Sequence, residues 1–339
     1  MEPAPRVKMA DVAAKAGVSV ATVSKVVNGR YGVAKDTVEL VQGVINDMGY
    51  ESNLIAASLR SHTSNVLGIL VPDFEPFSAE LLKGAALGAR GSGYELLSHS
   101  GGDQHGWERR SLSRLGGTLI AGAVLVTPTV LDARTIVPAV AVDPHFGPSS
   151  MPTIDADSYS GAKQATEHLI SLGHRRIAFL GGRSELDSAH LREAGYRDSM
   201  EEAGVPVDPS LVRESRYAPD RAAEITRDLL ELPDRPTAIF AANDVTAIRA
   251  MEVAHEYGLS VPEDVSVVGF DDIPEASLAV PQLTTVRQPM QAMGRAAMEM
   301  LLDIINGVER ETHVRMSTEL VVRGSTAPPP ATVRPASIP

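Results

Sequence analysis

The nearest approach to an acid–base pair in this chain is Asp271–Asp272, at the end of the apolar run VSVVGF. Neighbours on a strand point to opposite faces, so these two carboxyls cannot share one substrate proton. Asp272 is expected instead to tie down the loop that follows. Ser98, His99 and Ser100 are adjacent in sequence and lack the separated geometry of a nucleophile, base and orienting acid. The nine histidines show no H-E-x-x-H or similar spacing, so no metal site is expected. No phosphate-loop lysine motif is present. GARGSGYELL is rich in glycine, but it precedes an apolar run instead of opening a helix and reads as a turn. The chain is not expected to be an enzyme, and no cofactor is implied.

Binding chemistry is better placed. In ADVAAKAGVSVATVSKVVN two short helical stretches flank a glycine, with Ala13 and Ala14 small enough for a close crossing. Val12, Val18, Val23 and Val27 would form a core. Val20, Ala21, Thr22 and Lys25 then fall on the exposed N-terminal half of the second helix, the part of a helix-turn-helix that reaches base edges. Any small three-helix bundle has similar apolar spacing, so the spacing alone leaves DNA binding open.

The elements that carry these residues follow from periodicity. The first helix is expected to stop at Gly17, Ser19 to cap a second running to about Asn28, and a third to follow Val33. Val38, Val41, Val44, Ile45 and Met48 share one face of that third helix, and Gly49 ends it. LIAASLR, after Asn53, is helical by propensity but too short to be stable alone. From residue 66 the pattern changes. VLGILVP, YELLS, GAVLVT, VPAVAVD, RIAFLGG, TAIFAAN and VSVVGFDD are strand-like runs, most of them followed by amphipathic stretches. Such alternation implies parallel sheets covered on both faces, and so many strands imply two α/β subdomains. Ligands of such sheets bind at the carboxyl ends of the strands. The sole tryptophan, Trp107, lies in polar DQHGWERR and reads as a half-buried surface residue.

Bulk properties narrow the class. At 339 residues, 43% of them hydrophobic, the chain is long enough for two or three domains. It has no cysteine, which fits a reducing compartment, and the N-terminus lacks the apolar core of a secretory signal. A cytoplasmic location is expected, with no membrane association. The net charge of −12 argues against a protein that coats nucleic acid over its whole surface. Residues 1–61 are nevertheless near +1, leaving about −13 for the remainder.

DVAAKAGVSVATVSKVVNG, VAKDTVELVQGVINDMGY and NLIAASLR, in that order, resemble the N-terminal module of the lactose-repressor (LacI/GalR) family. HLISLGHRRIAFLGG, LREAGY, PTAIFAANDVTAIRAME, VPEDVSVVGFDDIPEAS and PQLTTVRQPMQAMGRAAMEMLL resemble its sensor. The resemblance implies an α/β fold class: an all-α helix-turn-helix followed by a two-lobed, type I periplasmic-binding-protein-like sensor with parallel sheets. The expected divisions are a DNA-binding domain at 1–52, a hinge helix and linker at 53–64, a sensor at 65–324 and a disordered tail at 325–339. Within the sensor, an N-lobe would comprise about 65–157 and 289–316, and a C-lobe about 158–288 and 317–324.

By the same resemblance Val20, Ala21 and Lys25 read bases, while Ser19, Thr22 and Asn28 lie nearer phosphates. Asn53 opens the hinge, and Leu59 matches the leucine that wedges into the minor groove. Asp143, Arg192, Tyr217, Asn243, Asp271 and Gln288 fall at ligand-binding positions, and Phe74, Phe77, Ser78 and Trp107 are further candidates. The set suits a polyol: carboxylate and amide groups grip vicinal hydroxyls, and an aromatic face packs on a pyranose. The implied protein is a homodimeric repressor of double-stranded operator DNA, controlled by a mono- or oligosaccharide effector. A corepressor-dependent regulator sensing a purine or other metabolite is the alternative. A solute-binding protein would share the sensor but have no use for the helix-turn-helix. In the sensor the loop VPDFEPFSAEL lacks the common asparagine before Pro-Phe and is one residue shorter, and in the DNA-binding module and hinge the chain departs from the family pattern in four places. Lys25 replaces a usual arginine, Ser52 a proline and Ala57 a common arginine. Lys8 stands where Thr or Ser normally caps the first helix, so fraying is expected there.

Overall fold

The structure is a computed structural model that describes residues 7–27, 31–50, 64–102, 104–130, 135–145, 151–309 and 311–332. Residues up to Asn65 and those from Val66 onward form two compact units.

The first unit contains α1 (Met9–Ala16), α2 (Val20–Val27) and α3 (Lys35–Met48). Lys8 offers no side-chain acceptor to α1, but Asp11 reaches back and accepts the Lys8 backbone N–H at 2.7 Å. That carboxylate holds the first turn and offsets the fraying that a lysine at this position suggests. Gly17 and Gly49 end α1 and α3 at φ 67° and 60°, where a Cβ would be strained. Ser19 Oγ accepts the Thr22 N–H at 3.1 Å and so caps α2. Val12, Val23 and Val41 are fully buried at the centre, with Ala13, Ala16 and Val44 beside them. Val18, Val27, Ile45 and Met48 pack around that centre. Two positions differ from the spacing argument. Ala14 is exposed, not at the crossing, and Val38 lies one position round α3 from the line Val41–Val44–Met48 and is exposed too.

Among the described residues the second unit holds two six-stranded sheets. The first joins β1 (Val66–Val71), β2 (Glu95–Ser100), β3 (Gly122–Val126), β4 (Ala139–Val142), β5 (Thr153–Ala156) and β11 (His313–Met316) in the order β11-β5-β4-β3-β1-β2, all parallel. The second joins β6 (Ile177–Gly181), β7 (Val212–Glu214), β8 (Ala238–Ala241), β9 (Ser266–Asp271), β10 (Thr284–Arg287) and β12 (Glu319–Val321) in the order β12-β10-β9-β8-β6-β7. Only β12 runs antiparallel to its neighbour. β1, β3, β4, β6, β8 and β9 are buried along their whole length, which is why their sequences are continuous apolar runs without alternation. Edge strand β2 is only partly covered.

The chain crosses between lobes three times, at residues 157, 288–289 and 317–318. These crossings are stitched together: the Asp157 N–H donates to the Met316 carbonyl at 2.8 Å, and Thr318 Oγ1 to the Asp157 carbonyl at 3.0 Å. In the first lobe α4 (Pro76–Gly88) packs on α11 (Met290–Ile305) with almost no gap. A Cβ on Gly294 would lie 2.0 Å from the Leu81 carbonyl oxygen, and one on Gly84 1.9 Å from that of Gln291. Gly294→Ala is therefore expected to push these helices apart. The cost would be roughly 1–3 kcal/mol or more, read as a lower urea midpoint.

A disordered tail from residue 325 does not match the structure. Ser325 is completely buried: its Oγ accepts the Thr284 N–H at 2.8 Å and its carbonyl accepts the Val267 N–H at 2.8 Å. The Ala327 carbonyl accepts from His174 Nε2 at 2.9 Å. The starts of β9 and β10 have backbone donors that need acceptors, and this strap supplies them. A proline-rich composition hid that role. Residues 333–339 lie outside the described residues.

Candidate functional site

The helix-turn-helix places the DNA-reading candidates on one exposed surface. Val20, Ala21 and Lys25 are exposed on α2, Ser19 at its start is exposed, and Thr22 is half-buried. The Ser19 and Thr22 hydroxyls share a 2.9 Å hydrogen bond. Val20 is 48% exposed, apolar surface that folding of this unit leaves unused. Asn28, Asn53 and Leu59, with the rest of the hinge, lie outside the described residues.

In the sensor, the carboxyl ends of the central strands from both sheets meet at one cleft, lined by Glu75, Phe77, Thr127, Asp143, Arg183, Leu186, Arg192, Tyr217, Asn243, Val245, Asp271 and Ile273. The space between these walls, open solvent at the mouth included, is about 470 Å³. Of the residues proposed from sequence, Asp143, Arg192, Tyr217, Asn243, Asp271 and Phe77 are therefore together. The others are elsewhere. Gln288, buried at a crossover, donates from Nε2 to Asp271 Oδ1 at 2.7 Å and orients that carboxyl from behind. Phe74 is 56% exposed and stands off the wall, and Ser78 is buried behind it. Trp107 is fully buried among Val66, Leu70, Leu112 and Ile120, a core residue and not the half-surface one its polar neighbours suggest. Of its polar neighbours, Arg109 and Arg110 lie exposed on α5 (Trp107–Leu115), whereas Glu108 is buried beside the ring and accepts from Thr129 Oγ1.

Arg192, on α7 (Asp187–Glu202), is the electrostatic centre. It is 3% exposed, with NH1 3.5 Å from Asp271 Oδ1, and it also donates to the Ala242 carbonyl and to Ser158 Oγ. Its guanidinium carbon lies 3.9 Å from the Phe270 ring centroid and 5.9 Å from that of Tyr217. Burial works against its charge, but Tyr217, Asp271, Asp143 and Asp244 outweigh it, so its pKa is raised. Asp271 is pushed up to about 6 by burial, against the pull of Arg192 and Gln288. Asp143, across the cleft, is also raised by burial, and it accepts from Ser188 Oγ of the opposite lobe at 3.2 Å. Asn243 is partly committed: its side-chain oxygen accepts the Thr246 N–H at 3.1 Å and caps α9 (Asp244–Glu256).

Two features concentrate at this cleft. Among the described residues six non-glycines have positive φ: Thr127, Asp143, Tyr217 and Asp271 on the cleft wall, with their neighbours Arg216 and Asp272. Thr127, β-branched at φ 44°, is the most costly of these. Strain persists where surrounding structure over-determines it, typically at ligand sites. Buried polar atoms without a partner also gather here: Thr127 Oγ1, Tyr217 OH and Arg183 Nε, with His145 Nε2 at the mouth. Buried polar groups are normally paired, so their clustering on residues that line a cleft marks it as a candidate ligand site.

Glu75, Thr127, Arg183, His145, Val245 and Ile273 were not visible as site residues. Each follows a strand or opens a helix at the strand ends, which was the signal available, but their side chains carry no distinctive spacing. Asp272, by contrast, is a structural tie, as the strand argument implies. It accepts from Arg287 Nε at 2.7 Å and Arg323 NH2 at 2.6 Å.

The raised pKa of Asp271 has a sign that can be checked. A carboxyl raised from 3.8 to about 6 on folding contributes full stability below 3.8 and loses it as pH rises through 6. Asp271→Asn is expected to remove a decline on the order of 3 kcal/mol between pH 4 and pH 7. Urea unfolding of both proteins across that range measures it; parallel pH profiles would contradict it.

Comparison with known proteins agrees with both units. Residues 8–53 match the bacterial regulatory proteins of the lacI family, and residues 166–326 the periplasmic binding protein-like domain. The chain is 32% identical over 326 residues to the HTH-type transcriptional repressor CytR of Escherichia coli (strain K12), covering 94% of this chain and 96% of that repressor. Among solved structures it resembles the lac repressor dimer bound to operator and the anti-inducer ONPF, with TM-score 0.82, 28% identity and coverage of 95% and 100%. It also resembles the transcriptional regulator CelR–cellobiose complex, with TM-score 0.70, 31% identity and coverage of 94% and 100%. A helix-turn-helix joined to a two-lobed cleft, matched over nearly the whole chain, thus makes this protein a member of the lacI family of bacterial regulatory proteins, a repressor whose DNA binding is under effector control.

Proposed function

We propose that the effector is a small polyhydroxylated molecule, a mono- or oligosaccharide, held between the lobes by Asp143, Arg192, Tyr217, Asn243 and Asp271. The observation that carries this reading is a cleft in which carboxylates from each lobe surround one guanidinium, and on whose wall Thr127 and Tyr217 have buried, unpartnered hydroxyls. Hydroxyl groups donate and accept at once, so a polyol satisfies acceptor carboxylates and donor guanidinium together. Tyr217 and Phe77 offer ring surface to its C–H face. The similar CelR structure holds cellobiose, which supports the same class.

On the DNA side Val20, Ala21 and Lys25 would read base edges, with Ser19 and Thr22 near phosphates. The working protein would be a cytoplasmic homodimer on a two-fold operator. Leu278 and Val280, 76% and 96% exposed on the second lobe, give apolar surface for a second copy, and the similar lac repressor structure is a dimer. Effector closing the cleft would shift the first lobe and change the hold on DNA.

A thermal-shift screen of the full chain against mono- and disaccharides tests the effector class. A bound sugar well above its dissociation constant is expected to raise the midpoint by several degrees. A response to purines but to no sugar would overturn the polyol assignment.

A further inference from the structure

Toward its mouth the cleft changes character. Its inner wall carries Asp143 and Asp271 around Arg192, whereas the outer recess is lined by Arg183, Arg216, Arg221, His105 and His145 against Asp73, Glu75 and Glu185. Some of these charges are already used, whereas Glu75, raised to about 7 by burial and by Asp73 and Asp271, makes no ion pair among the described residues. Arg216 pairs with Glu185 at 2.8 Å and with Glu214 at 2.9 Å, and Arg221 donates to the Glu214 carbonyl. Arg183 is different: among the described residues it makes no ion pair, and its Nε is buried without a hydrogen-bond partner. His145, 7% exposed, likewise has a buried and unpartnered Nε2. It is held in place from the other lobe, because its carbonyl accepts the Asp187 N–H at 3.1 Å. The guanidinium of Arg183 carries an unmet demand for an acceptor, which a charged acceptor meets best; His145, kept neutral because burial and Arg183 lower its pKa to about 4, adds a second donor in its Nε2–H tautomer.

We propose that the mouth of the cleft, built on Arg183 and His145, is a subsite for an anionic substituent, so that the effector is a sugar bearing a phosphate or carboxylate with its neutral ring innermost. This rests on the reading of the cleft as a polyol site. The inner carboxylates repel an anion and favour hydroxyls, and the recess beyond them supplies the fork that a phosphate or carboxylate fits. The orientation of the ligand follows from that gradient.

The test uses the full-length protein and calorimetric titration with hexoses and disaccharides, their 6-phosphates, the matching uronic acids, and inorganic phosphate. One charged sugar is expected to bind about tenfold to a hundredfold more tightly than its neutral parent. A preference for phosphate or for uronate identifies the group. Arg183→Gln should erase most of that preference and Arg183→Lys retain part of it, with circular dichroism confirming that both fold. If no sugar binds but inorganic phosphate raises the melting point of the wild type and not of Arg183→Gln, the subsite stands while the polyol reading falls. Equal affinity for charged and neutral sugars, or a preference indifferent to Arg183, would overturn the subsite and leave the cleft reading intact. Absence of any response to sugars and phosphate alike would overturn both.

Discussion

Replacing Arg192 with methionine is expected to weaken effector binding about a hundredfold or more and to destabilise the sensor by roughly 3 kcal/mol. The two losses have different origins. Binding falls because Arg192 is the buried cation at the centre of the cleft, stacked on Phe270 and facing carboxylates of both lobes. Stability falls because Asp271, 3.5 Å away, loses its counter-charge inside the protein. The loss stays at the low end of the range for a broken buried pair, because Asp271 is already raised to about 6 and can take up a proton. Arg192→Met combined with Asp271→Asn separates the two effects. The double variant should recover much of the stability and none of the binding. Calorimetric titration and urea unfolding give both readings, and normal effector affinity in the single variant would remove Arg192 from the site.

The second large effect concerns DNA. Lys25 is exposed in the last turn of α2, two residues past buried Val23 and on the same face as exposed Ala21, four residues before it. A lysine bonds guanine O6 or N7 as a point donor, without the planar fork of arginine. Lys25→Ala should therefore remove about tenfold to a hundredfold of discrimination between operator and scrambled duplex, while affinity for scrambled DNA falls far less. Lys25→Arg should preserve or sharpen it. A mutant with unchanged selectivity would show that bases are read by other residues.

Much of this architecture was legible because burial leaves a plain trace in sequence. Strands covered on both faces read as apolar runs, and Gly17 and Gly49 marked helix ends that the backbone confirms at positive φ. The short strands were not legible. TIDA and HVRM are strands because β5 lies between β4 and β11, pairing that depends on residues 160 apart and on no local preference. The cleft was legible where a polar residue directly ended an apolar run, as at Asp143, Asn243 and Asp271. It was hidden where function depends on what a side chain lacks. Nothing in the residues around Arg183 or His145 indicates that folding will bury a nitrogen and leave it without a partner. Trp107 and the strap at Ser325 misled for one reason: composition describes a segment's neighbours in sequence, whereas burial is decided by neighbours in space.

Coupling between cleft and DNA is the claim on which the rest turns. The most direct measurement is a fluorescence-anisotropy titration of the full-length protein on operator duplex, with and without the sugar that gives the largest thermal shift. The account predicts a change in operator affinity of about tenfold, within the 5–150-fold span of ordinary allosteric coupling, and little change of that size on scrambled duplex. Identical operator affinity at saturating sugar would contradict it, even with both binding activities intact.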